Sequence, residues 1–185
     1  MPSNPLPTFK YHPDPIKTGS IVTSKTECAC CGKARGYIYA GPVYGEGDYD
    51  DSICPWCIAD GSAHEKLDVT FHDEAGVGGN GDWDEVPESV IEEIAYRTPG
   101  FTAWQQEQWW THCSDAAQFL GRAGREELEA AGAQAIDAIR ESGGFDEGDD
   151  EWEETLEELH KDGSMTAYLF RCSKCGKFGG YYDAD

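Results

Sequence analysis

The sequence predicts an α+β fold in which small cysteine-bearing hairpins surround a central group of helices. Three observations carry this expectation. Aromatic and β-branched residues gather near both ends, around Ile21–Tyr44 and Met165–Tyr182, which marks strands there. Residues 87–162 instead carry apolar side chains at helical spacing. The stretch "ECACCGK" at Glu27–Lys33 returns as "RCSKCGK" at Arg171–Lys177, each a CxxC pair followed by glycine and lysine. A chain of 185 residues suffices for one domain, expected to cover 1–185.

Each element follows in order. Five of the nine prolines fall in the first fifteen residues, so 1–20 read as an extended arm. Residues 21–70 form a cysteine-rich part. In it, "RGYIYAGPVY" is a strand ending at a Gly-Pro turn, "GEGDYDDS" an acidic loop, and "ICPWCIADGSAHEKL" a turn running into a short helix. "AGVGGNGDWD" is a loop by composition. The helical part, 87–162, opens with "VPESVIEEIAYRTPG", where Pro87 lies near the start, Val90, Ile91, Ile94 and Ala95 share one side, and Pro-Gly follows. The tryptophan-rich "FTAWQQEQWWTHCSDAAQFLG" is expected to be helical too, with Trp104, Trp109 and Trp110 supplying buried area. A glycine-marked break at Gly121–Gly124 precedes "REELEAAGAQAIDAIRES", expected as one helix. "GGFDEGDDEWEETLEELHKDG" begins as an acidic loop and closes as a helix bearing Trp152, Leu156 and Leu159. Residues 164–185 close the chain as a hairpin with the second CxxC at its tip.

Charge narrows the function. Fourteen Lys and Arg oppose 36 Asp and Glu, a formal charge of -22. That argues against direct nucleic-acid binding, which needs concentrated positive charge, and favours water, cations or a basic protein partner. No apolar run of about 18 residues is present, so no membrane span is expected. The opening "MPSNPLPTFKYHPDP" has no basic stretch leading into an apolar one, which makes the cytoplasm the expected compartment. Thiols stay reduced there, and eight cysteines point to metal before disulfides.

Cys28 and Cys31 make one CxxC, Cys54 and Cys57 another, with 22 residues between Cys31 and Cys54. A two-residue gap lets both sulfurs of a tight turn reach one ion, and two such turns complete a thiolate tetrahedron. The expected ligand set is zinc on Cys28, Cys31, Cys54 and Cys57, closed to water and substrate. Knuckle, hairpin and then CxxC entering a helix resembles a treble clef. Cys30 is left over, as a small apolar residue or a ligand elsewhere. A thioredoxin-like use of "ICPWC" would need a buried strand before it, where "EGDYDDSI" is acidic; a zinc deaminase would need an upstream HxE, where "HPD" stands. The terminal knuckle, zinc-ribbon-like, brings Cys172 and Cys175. Cys113 and the adjacent His112 are the expected partners for a second zinc, provided the backbone there is irregular. Without His112 a three-cysteine site would keep a position for water, a catalytic geometry. His12, His64, His72 and His160 show no metal or triad pattern and read as surface or hydrogen-bonded residues.

Five segments, "LPTFKYHPDPIKTGSI", "CxCCGxxRGYIYxGPVY", "CPWCIADGSAHEKLD", "TPGFTAWQQEQWWTHC" and "YLFRCSKCGKFGGYYD", resemble the CbrC family of bacterial cytosolic proteins. The resemblance spans Leu6 to Asp185. It implies a role in colicin tolerance or as an immunity protein beside polymorphic toxin genes, and offers no reaction. It supports Cys28, Cys31, Cys54, Cys57, Cys113, Cys172 and Cys175 as motif positions and says nothing of Gly144–Glu158.

The leading expectation is therefore a non-catalytic zinc protein that binds and neutralises a protein toxin, a basic nuclease domain being the natural target. The alternatives are a metal-dependent enzyme with an open site at Cys113, Cys172 and Cys175, and a regulatory zinc adaptor. Two acidic stretches are candidate partner surfaces: Asp48, Asp50 and Asp51, and Asp146, Glu147, Asp149 and Asp150 with Trp152. Trp152 is either an interface anchor or a core residue of its helix.

Overall fold

In the computed structural model, which describes residues 5–78, 81 and 83–185, the β-prone runs at the two ends build separate antiparallel sheets. Residue contacts divide the chain into two units. One runs up to Val77 and includes Val86–Thr102; the other combines Gly78–Glu85 with Ala103–Asp185. The expected glycine-rich loop falls partly at 79, 80 and 82, outside the described residues.

In the first unit, strand β1 (Ile21–Thr23) pairs with β2 (Tyr37–Tyr39), Ile21 opposite Tyr39. Ile21, Ile38 and Tyr39 turn into a core shared with Phe9, Ile53, Ile58, Val69 and Phe71. Two short helices follow, α1 (Pro55–Ala59) and α2 (Ser62–Leu67). Gly61 at φ 79° makes the break between them, a conformation that favours glycine. Helix α3 (Glu88–Arg97) begins after Pro87 and buries Ile94 and Ala95. Tyr39 ties these pieces together. Its ring meets Phe71 edge-on at 5.3 Å, and its hydroxyl donates to the Pro42 carbonyl and accepts from Gly100 N–H at 3.1 Å.

The proline-rich arm is docked, with Phe9, Tyr11 and His12 buried. The His12 Nδ1–H donates to the Pro99 carbonyl at 2.7 Å, leaving Nε2 to face the Thr18 hydroxyl at 2.7 Å. Burial dominates the titration of His12 and His72, pulling both from 6.5 to about 4. A histidine with a lowered folded pKa stabilises fully above its unfolded value, and that contribution is lost as pH falls from 6.5 towards 4. Chemical denaturation of the protein should show a loss on the order of 3 kcal/mol per histidine across that window. His12→Asn should flatten the slope; an unchanged slope would remove His12 from the account.

In the second unit, β3 (Gln118–Ala123), β4 (Met165–Arg171) and β5 (Phe178–Ala184) form an antiparallel sheet in the order β3-β4-β5. The terminal hairpin runs in register from Arg171 opposite Phe178 to Met165 opposite Ala184. Helices α4 (Arg125–Ala131), α5 (Ala133–Ser142) and α6 (Asp150–Glu158) surround a core of Leu128, Ala135, Ile139, Trp152, Leu156, Leu159, Ala167 and Leu169. The Asp149 carboxylate caps α6 by accepting from Glu151 N–H at 3.0 Å.

Three sequence expectations change here. The single helix over 125–142 is two, because Gly132 at φ 102° ends α4 and its N–H closes on the Leu128 and Glu129 carbonyls. The glycine break at Gly121–Gly124 is the end of a strand, with Gly121 at the point where the β3–β4 register shifts. The tryptophan-rich segment is not helical. Trp109 is fully buried against Phe119 and Phe170 and its indole N–H donates to the Ala117 carbonyl at 2.9 Å, while Thr111 bridges Ala116. Trp110 is buried, but Trp104 stays 44% exposed, held by its indole N–H on the Gly163 carbonyl. Among the described residues, no helix is long and apolar enough to cross a membrane.

Candidate metal centres

The two CxxCGK copies fold into the same turn. In the first, Cys28 N–H donates to the Lys33 carbonyl at 3.1 Å and Gly32 N–H to the Cys28 carbonyl at 2.7 Å. In the second, Cys172 N–H donates to Lys177 at 2.9 Å and Gly176 N–H to Cys172 at 2.9 Å. Gly32 and Gly176 sit at φ 64° and 78°, the left-handed position that closes the turn and explains why glycine follows the second cysteine.

The second CxxC of the first unit is built differently. Cys54 is the N-cap of α1, Pro55 starts the helix, and Cys57 lies one turn in. Cys54 N–H donates to the Cys28 sulfur at 3.2 Å. The sulfurs lie 3.9 Å apart for Cys28–Cys57, 3.9 Å for Cys31–Cys54 and 3.6 Å for Cys54–Cys57. All eight cysteines are free thiols. Cys28, Cys54 and Cys57 are buried and Cys31 is half-buried. Cys30 stands outside this quartet, half-buried with its sulfur 3.6 Å from the Ser62 hydroxyl.

The second cluster joins two segments of its unit. His112–Asp115 forms a tight turn closed by His112 N–H on the Asp115 carbonyl at 3.0 Å, with Cys113 and Ser114 at φ 57° and 53°. Two left-handed residues in succession are the signature of a hairpin turn whose twist suits its flanking strands. This is the irregular backbone that two adjacent donors require. The His112 Nδ1 lies 3.2 Å from the Cys113 sulfur and 3.4 Å from the Cys175 sulfur, and the His112 ring stacks on Trp110. Lys174 fastens the turn to the knuckle by donating to the Cys113 carbonyl at 2.9 Å. His112, Cys113, Cys172 and Cys175 thus offer four donor atoms within 4.8 Å of one another, as do the four cysteines of the first group, and each group could hold a metal ion. Neither Cys113 nor Ser114 is comfortable at positive φ. Ser114→Gly should raise the stability of this unit by roughly 0.5–1 kcal/mol in denaturant unfolding; a fall would show that the serine side chain supports the turn.

Both clusters lower one particular thiol. Cys28 is pulled down to about 4, first by the Cys54 thiol and then, against burial, by the N–H groups of Cys54, Cys31 and Cys30. At the other cluster desolvation raises Cys172, but the N–H of Cys175, the His112 ring and the N–H of Lys174 outweigh it and bring the thiol to about 6. The knuckle turn is the common cause: amides two and three residues on point at its first sulfur. The neighbours go the other way. Cys54 is pushed up by donating to Cys28, Cys57 rises to about 12 through burial, and Cys113 rises to about 11 through desolvation and the sulfurs of Cys175 and Cys172. Thiols this close resist shared ionisation unless a cation joins them, so metal binding must release protons and weaken in acid.

Of the candidate partner residues, Asp48, Asp50, Asp51, Asp146, Glu147 and Asp150 are exposed, and Asp149 is half-buried as the α6 cap. Trp152 is a core residue: it is 2% exposed, packs with Leu156 and Leu159, and meets Phe145 at 5.8 Å. The interface role left open for it is therefore withdrawn, since burial leaves no surface to offer. Tyr49, the aromatic of the other stretch, also packs against its unit's core. The turn at His112–Asp115 escaped the sequence reading, though two aromatic or small-residue runs flanking the polar "THCSD" were its signal.

Fold and clusters together define a small α+β protein with antiparallel sheets and two cysteine-rich groups suited to metal. The chain belongs to the family described as "Uncharacterised protein family (UPF0167)", whose model matches residues 6–184. It is similar to UPF0167 proteins of Mycobacterium bovis and Mycobacterium tuberculosis, each 50% identical over 96% of this chain and 93% of the relative. A UPF0167 protein of Pseudomonas aeruginosa is 41% identical over 98% of this chain and 97% of its own length. No solved structure matches the chain at a significant level.

Proposed function

We propose that the protein is a cytoplasmic, non-catalytic binding protein, held in shape by two zinc ions, that neutralises a basic protein toxin by covering it. The observation that carries this reading is that each cluster supplies four donors. A zinc–sulfur distance of about 2.3 Å places tetrahedral sulfurs about 3.8 Å apart, which the separations of 3.6 to 3.9 Å in the first group fit. Corresponding sulfur–nitrogen separations are about 3.6 Å, close to the 3.2 and 3.4 Å at His112. Zinc filled by four protein donors is a brace with no position for substrate. Knuckle, hairpin and CxxC at a helix start make the first centre treble-clef-like, and the hairpin-tip knuckle makes the second zinc-ribbon-like. The charge of -22 supplies the attraction to a basic partner. The CbrC-like motifs point the same way. His112 close to two sulfurs weighs against the open, enzymatic site at Cys113, Cys172 and Cys175.

The test is association with a toxin encoded beside the gene, followed in real time at several salt concentrations. Salt should slow association more than it speeds dissociation. Neutralising Asp48, Asp50 and Asp51, or Asp146, Glu147, Asp149 and Asp150, should slow association too. Protection of cells without any toxin bound would overturn the reading.

A further inference from the structure

The acidic stretches have lost their aromatic anchors to the core, yet the second unit has an aromatic groove elsewhere. It encloses about 590 Å³ and is lined by Phe178, Gly179, Gly180, Tyr181 and Tyr182 of β5, by the Trp110–His112 segment and Trp83, and by the end of α5 at Ala138, Glu141 and Ser142. Alternate residues of a strand point to opposite faces. A groove touching five in succession therefore follows the strand's lateral edge. In the order β3-β4-β5 that edge has no strand beside it among the described residues. The backbone is bare at its centre because nothing larger than glycine fits. A Cβ on Gly179 would lie 2.1 Å from the Trp110 ring, and one on Gly180 would lie 2.0 Å from the Tyr168 carbonyl oxygen.

The lining itself balances Glu141 against Lys177, so the acids at the groove's two ends and its aromatic faces identify the occupant. A hollow of about 420 Å³ shares Ala138, Glu141, Lys177 and Phe178 with the groove and adds Asp137 and Cys175, so one end reaches the second metal centre. At the other end the Gly143 backbone lies against the rings of Tyr182 and Phe145, where Asp146 and Glu147 begin the acidic loop. Lys177 is the one lysine or arginine among the described residues lining the groove. Trp83 stands 6.0 Å from Tyr181, presenting aromatic faces that attract cations. Arg171 already lies over the Phe178 ring at 5.5 Å.

We infer that an extended, arginine- or lysine-bearing segment of the protein partner adds as a strand to the outer edge of β5, its cationic side chains set between Trp83, Tyr181 and Glu141. Main-chain hydrogen bonds along the edge supply affinity and the pockets supply specificity. This deepens the proposed role as a binder of a basic protein and rests on it.

The test needs no toxin. An octapeptide alternating arginine and valine is titrated into the zinc-loaded protein and followed by two-dimensional amide NMR. Shifts should concentrate at Phe178–Tyr182 and at the indole N–H groups of Trp83 and Trp110, and an octapeptide alternating glutamate and valine should produce none. Glu141→Lys, at an exposed site where a helix C-terminus favours a cation, should fold normally and weaken binding roughly 5- to 10-fold. Trp83→Ala should do likewise. Shifts confined to the acidic stretch 146–158, or no binding at all, would overturn the groove. Occupation of the groove by peptide supports it even if the neighbouring toxin fails to bind, a result that would sink only the toxin reading.

Discussion

Replacing Cys54 by serine is expected to release one zinc per chain and to unfold the first unit. Cys54 is fully buried, starts α1, donates its N–H to the Cys28 sulfur, and holds its own sulfur 3.6 Å from Cys57 and 3.9 Å from Cys31. The short strands and five- and six-residue helices of this unit are too small to persist without the brace. Structural zinc supplies roughly 10 to 16 kcal/mol in isolated finger peptides. That is comparable to the whole reserve of a typical domain, about 5–15 kcal/mol, so its loss is enough to unfold the unit. Amide NMR should lose the dispersed signals of Phe9, Ile38, Ile53 and Phe71 while those of the β3–β4–β5 sheet survive. Native signals throughout, with full zinc content, would contradict the assignment.

Cys175→Ser is the second large effect, with a different outcome. Cys113 and Cys175 are exposed whereas three of the first four sulfurs are buried, so the second centre should also yield its zinc to a chelator first. The sheet beside it has its own core. Trp109, Phe119 and Phe170 pack at 5.2 to 6.2 Å, and helices α4 to α6 bury a separate set around Trp152. The variant should keep its sheet, lose one zinc, and free the His112–Asp115 turn, at a cost of roughly 2–4 kcal/mol. That figure follows the loss of a local brace in a unit that stays folded. Hydrogen exchange should quicken at Trp110–Ala117 and Cys172–Lys177. Collapse of the whole sheet would show the metal to be its foundation.

The parts legible in the sequence were those set by short-range rules. CxxCGK dictates a knuckle because a turn, a left-handed glycine and two converging sulfurs are all local. Trp152, Leu156 and Leu159 mark the buried side of α6 through periodicity alone. The tryptophan-rich segment misled because large aromatics occupy either a helix or a strand. What decided between them was long-range: Trp109 against Phe170, and His112 against Cys175. The break at Gly132 was hidden inside an otherwise alanine-rich helical pattern, where one residue at φ 102° is enough to divide it. The groove was invisible in the sequence, since it depends on which edge of β5 is left without a neighbouring strand among the described residues.

The central claim is two closed zinc centres, and X-ray absorption at the zinc edge, together with elemental analysis of protein purified without chelator, tests it most directly. A four-sulfur site and a site of three sulfurs and one imidazole average to about 3.5 sulfurs and 0.5 nitrogens per zinc, with zinc–sulfur at about 2.3 Å. The account predicts that shell and two zincs per chain. Fewer than two zincs, or a water oxygen in place of the His112 nitrogen at the second centre, would contradict it.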